Sequence, residues 1–149
     1  MTATRLLSLA GLTLVVGCDG SGGETPGSVT TLLSGTAASV DITSPADGDS
    51  VALPLTLTLG ATGVVVVPAT GQREEGKGHH HLIIDGDVPE DPLPPLPKPP
   101  QVIHLGNGAS DYVIATLPPG PHRVIAVFAG GDHVAMPGVR RDTVSFIVR

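Results

Sequence analysis

The chain has little to build a conventional core with: no Trp, one Tyr, two Phe and a single Cys in 149 residues. One Cys excludes a disulfide framework. The near absence of aromatics leaves Val, Leu, Ile and Ala to fill the interior, at about 1.5 to 3 kcal/mol for each large side chain buried. Positive charge is also scarce, with 8 Lys and Arg against 14 Asp and Glu. The basic residues form no cluster, so the stripe that neutralises phosphates is missing and nucleic acid is excluded as a partner. Twenty Gly and fifteen Pro interrupt the chain too often for long helices. The Val and Leu runs between them are nevertheless too apolar for a disordered chain.

Arg5 is the only charge before an apolar stretch over residues 6–16, too short for a permanent membrane helix and laid out like a secretory signal. It ends in Leu14-Val15-Val16-Gly17-Cys18. That run resembles a bacterial lipobox, which implies a signal peptide over residues 1–17 and lipid attachment at Cys18. Residues 18–38 are rich in Gly, Ser and Thr, the composition of a flexible tether. The expected place is therefore the bacterial cell envelope, anchored by lipid and facing the periplasm or the exterior.

From residue 39 onward, short apolar runs alternate with turn signals. Residues 40–43 read as a strand closed by Ser44-Pro45-Ala46-Asp47-Gly48, in which Pro presets φ and Gly permits φ > 0. Leu53, Leu55, Leu57 and Leu59 recur at period two and share a face. Residues 63–67 read as a fully apolar strand and residues 79–85 as another. Residues 102–105 and 111–116 flank Gly106-Asn107-Gly108 as a hairpin, and residues 122–129 and 143–148 complete the set. The Pro-rich stretch over residues 88–100 reads as extended and lying on the surface. About seven or eight strands at this spacing predict an immunoglobulin-like antiparallel β-sandwich over residues 39–149.

Three segments carry a family resemblance: the Pro-Asp-Gly turn, Gly78-His79-His80-His81-Leu82-Ile83-Ile84-Asp85, and Leu117-Pro118-Pro119-Gly120-Pro121-His122 leading to Gly131-Asp132-His133. Together they resemble the bacterial family of domain of unknown function 4399 over residues 40–149. The resemblance implies a fold and a histidine pattern, without a mechanism. Where that family commonly has His-x-His before a Gly-x-Gly turn, this chain has Val102-Ile103-His104.

Side chains alternate along a strand, so His79 and His81 share one face and His80 the other, with Leu82 and Ile84. An i, i+2 imidazole pair can converge on one ion. His104 and His133 are the candidates to complete the ligand set, copper or zinc the candidate metals, with Met136 as a soft ligand favouring copper. Asp85 and Asp132 are candidate partners for the ligands' second ring nitrogens. His80 reads as buried and hydrogen-bonded. His122 reads as a structural corner residue bonded back to the backbone. The alternative is a non-enzymatic interaction module whose histidines are structural. An enzyme is the least supported reading, since the chain has no nucleophile elbow, no paired carboxylates in a plausible cleft, no phosphate loop and no metalloprotease helix.

Overall fold

The computed structural model describes residues 37–88, 96 and 102–149. The lipobox-like stretch, Cys18, the tether up to residue 36 and most of the Pro-rich segment lie outside the described residues. Nine strands run in chain order: β1 (Ser39–Ser44), β2 (Asp49–Val51), β3 (Leu55–Thr62), β4 (Val65–Val66), β5 (Lys77–Ile84), β6 (Ile103–His104), β7 (Asp111–Ile114), β8 (Gly120–Ala129) and β9 (Asp142–Val148). No helix occurs among the described residues.

Two sheets share this set, one of three strands in the order β1-β3-β7 and one of six in the order β2-β9-β8-β5-β4, with β6 also paired to β5. The period-two runs supply the facing surfaces. Val40 and Ile42 of β1, Leu55, Leu57 and Leu59 of β3 and Ile114 of β7 are buried against Leu82, Val124, Ala126, Phe128, Val144, Phe146 and Val148 of the larger sheet. The two Phe rings lie at the centre of this layer, each 1% exposed. The few aromatics in the sequence are thus spent in one place. An all-β, sandwich-like fold follows from that packing.

The structure corrects several local expectations. Residues 63–67 are not a full-length strand, since β4 is two residues long and Val65 is 57% exposed on a sheet edge. Gly106-Asn107-Gly108 does not close a hairpin. β6 before it pairs with β5 and β7 after it pairs with β3, so the turn carries the chain from one sheet to the other. The ladders are also not uniformly antiparallel: β2 runs parallel to β9 and β4 parallel to β5. β2 exists because the Pro-Asp-Gly turn is fastened to β9. Gly48 N donates to Ser145 O at 2.7 Å, and Ser145 N donates to Asp47 Oδ1 at 2.8 Å.

The six-stranded sheet has a second apolar layer on its outer face. Ile83 of β5, Ile125, Val127 and Ala129 of β8, Val102 and Ala135 are buried there, and Leu96 is buried with them at 5% exposure. The Pro-rich stretch is therefore not wholly surface-lying, because Leu96 packs into this layer. Its amide also donates to His133 O at 2.9 Å.

Candidate metal centre

β5 is the strand from which the site is built. His80 and Leu82 face the inter-sheet core, while His79, His81 and Ile83 take the opposite face. β5 lies inside its sheet, bordered by β8 on one side and by β4 and β6 on the other. His79 and His81 are 0% and 2% exposed.

Register delivers the other two imidazoles. His104 on β6 is the direct cross-strand partner of His81. His79 pairs with Ala129, the last residue of β8, and the chain then turns through Gly130 to His133, whose amide donates back to Gly130 O at 2.9 Å. An Arg73–Asp132 ion pair at 3.2 Å braces this turn. His133 has φ = 63°, a left-handed conformation that costs a non-Gly residue energy and that marks sites where geometry is imposed from outside.

One ring nitrogen from each of His79, His81, His104 and His133 lies within 4.8 Å of the others. All six ring pairs have centroids between 4.6 and 5.8 Å. His104 Nε2 sits 2.9 Å from His79 Nε2 and 3.1 Å from His133 Nε2. The cluster is asymmetric: His79 and His81 form a buried floor, His133 is half-buried and His104 is exposed.

Burial and mutual repulsion favour the neutral form of His79, His81 and His104. Loss of solvent, followed by the neighbouring His104 and His133, pulls His79 down to about 4. His81 falls to about 3 for the same first reason, with His79 as its strongest repelling neighbour. His104 is lowered by partial burial and then by His133. Neutral imidazole is the ligating form. The Nδ1 atoms of His79 and His81 are buried without a hydrogen-bond partner among the described residues.

Other expected partners lie elsewhere. Asp85 accepts from His122 and from the Arg123 amide, and Asp132 bonds Arg73 and the Val134 amide, so neither acid supports the cluster. Both are recruited by groups closer in the fold. Met136 packs against the inter-sheet core, on the other side of the sheet from His79 and His81, and is no soft ligand to them. His80 is fully buried edge-to-face on Phe128, but neither ring nitrogen has a hydrogen-bond partner among the described residues. The expected corner role of His122 holds, with Nε2 2.8 Å from Pro118 O. Two residues beside the site escaped the sequence reading. Leu96 bonds the backbone of His133, and Gly106 lies against the ring of His104. The Gly-x-Gly turn two residues after His104 was the available signal for the second.

The geometry defines an all-β sandwich-like domain with a four-histidine cluster on one sheet face. The model of the family described as Domain of unknown function (DUF4399) matches residues 57–149, and the chain belongs to that family. The match contains all four clustered histidines and leaves β1 and β2 outside. No curated protein and no solved structure matches the chain.

Proposed function

We propose that the domain binds one divalent transition-metal ion through His79, His81, His104 and His133, zinc before copper. The observation that carries this reading is the pair of short nitrogen–nitrogen distances at His104 Nε2. A neutral imidazole nitrogen offers either one hydrogen or one lone pair. His104 Nε2 therefore makes at most one full hydrogen bond, although neighbouring nitrogens lie at 2.9 and 3.1 Å. A cation resolves the conflict by accepting every lone pair. Nitrogens bound tetrahedrally at 2.0–2.1 Å from zinc lie about 3.3 Å apart, close to the two distances at His104 Nε2, and the four nitrogens all lie within 4.8 Å of one another. The ligand set holds no sulfur, which removes the reason for ranking copper first, although imidazole serves copper(II) as well.

This reading gives the cluster a binding role in a domain that spans residues 39–149. Together with the lipobox-like stretch it describes an envelope protein, tethered by lipid at Cys18, that presents a metal site from its folded domain. Such a site, closed by the sheet and open at His104, suits loading from solvent.

The test is titration of the tag-free full chain with zinc and with copper(II), beside a His79→Ala, His81→Ala double variant. One saturable site at micromolar metal in the wild type, lost in the double variant, is expected. Absence of saturable binding, or identical binding by the variant, would overturn the proposal and favour structural histidines.

A further inference from the structure

Gly106 has a role that the turn itself does not require. It follows Leu105 in a turn closed by Gly108 N donating to Leu105 O at 3.0 Å, and its own carbonyl accepts from Ala69 N at 2.8 Å. Its φ is not in the left-handed range, unlike that of Gly108 at 78°, so the backbone there admits any L-residue. A Cβ at Gly106 would nevertheless overlap a neighbour, and the three nearest heavy atoms are Cε1, Nε2 and Nδ1 of His104. The imidazole lies directly on the Gly106 backbone.

That contact matters because of where His104 stands. It is the exposed member of the cluster, and its Nε2 is the atom that meets both His79 and His133. An exposed imidazole on a two-residue strand has several rotamers open to it, and ordering it costs side-chain entropy. The bare Gly106 backbone provides a flat seat that holds the ring over the buried pair.

We propose that Gly106 is a positioning residue for metal binding, acting through His104. The inference rests on the metal reading above and deepens it: the site's exposed ligand is preorganised by a missing side chain. Replacement by Ala adds one methyl group whose nearest obstacle is a side chain free to rotate, so the ring swings away and the sheet stays in place.

Zinc titration of the full-length wild type, Gly106→Ala, His104→Ala and the double variant tests this, with cobalt(II) visible absorbance reporting coordination geometry. Loss of a residue that orients a ligand costs about 10- to 100-fold in metal affinity, and a loss of about tenfold or more is expected for Gly106→Ala. The cobalt spectrum should change too, and the double variant should bind no worse than His104→Ala alone. Wild-type affinity and spectrum in Gly106→Ala, or losses that multiply in the double variant, would overturn the proposal while leaving the metal site intact. If Gly106→Ala does not fold, the double variant should, since removing the ring makes room for the methyl group. Failure of both to fold would assign Gly106 to the turn and overturn the proposal. A wild type that binds neither ion would instead refute the metal reading beneath it.

Discussion

His122 sits between two acceptors, with Asp85 Oδ2 2.7 Å from Nδ1 and the Pro118 carbonyl 2.8 Å from Nε2. Both bonds are made together only by the imidazolium, which has an N–H on each nitrogen. The Asp85 bond, then the Pro118 bond, accordingly raise His122 above the usual imidazole range. A raised folded-state value contributes stability that is fully present below the unfolded value near 6.5 and is lost as pH rises through the folded value. His122→Ala should therefore cost more at pH 6 than at pH 9. Asp85 is half-exposed and screened, so about 1 kcal/mol of that cost should depend on pH. Thermal melts of both proteins at the two pH values check this, and metal stoichiometry should be unchanged.

His79 and His81 act in the opposite direction. His79 at about 4 and His81 at about 3 stay neutral in the folded protein while their unfolded counterparts protonate near 6.5. Between pH 6.5 and about 4 the unfolded chain binds more protons, so stability of the metal-free protein falls as pH falls through this window. Above 6.5 these two residues contribute no pH dependence. Chelator-treated wild type should lose stability more steeply over that range than His79→Ala, His81→Ala. Urea unfolding at pH 6.5, 5.5 and 4.5 would show it.

Leu96 should behave as a core residue despite its Pro-rich surroundings. It is 5% exposed among Ile83, Val102, Ile125 and Val127. Leu96→Ala should destabilise the domain by about 2 to 5 kcal/mol, the range for a buried Leu truncated to Ala. A change within about 0.5 kcal/mol in denaturant melts would contradict the packing.

Cys18→Ser should abolish incorporation of a fatty-acid analogue and release the protein from the membrane fraction. Unchanged labelling would remove the lipid anchor from the proposed function.

Much of the fold could be read from alternation. Val144, Phe146 and Val148 point inward on β9 and Thr143, Ser145 and Ile147 outward, as a period of two requires. The same rule separated His79 and His81 from His80. What escaped the sequence was pairing. β2 has three residues and no alternation to detect, and its parallel partner lies about a hundred positions away. Gly106-Asn107-Gly108 has hairpin chemistry, but its flanking strands find partners in different sheets, a choice made by long-range packing. The four site histidines were legible as residue types. They also read as one candidate ligand set, but the geometry that joins them was not legible, because it depends on His81 facing His104 and on the turn after Ala129 carrying His133. Asp85, Asp132 and Met136 were misassigned for a related reason. Nearness in sequence to a histidine says nothing about which side of a sheet a group occupies.

The alternation along β5 ties folding to ligand presentation. Leu82 must face the inter-sheet core and Ile83 the outer layer, and a slip of one residue exchanges the two rows. The same slip would drive His79 and His81 into the sandwich and expel Leu82 from it. The cost of burying two imidazoles among the inter-sheet side chains thus proofreads the pair. A chain that has reached its native alignment has already placed two of the four nitrogens, and a misaligned chain presents neither.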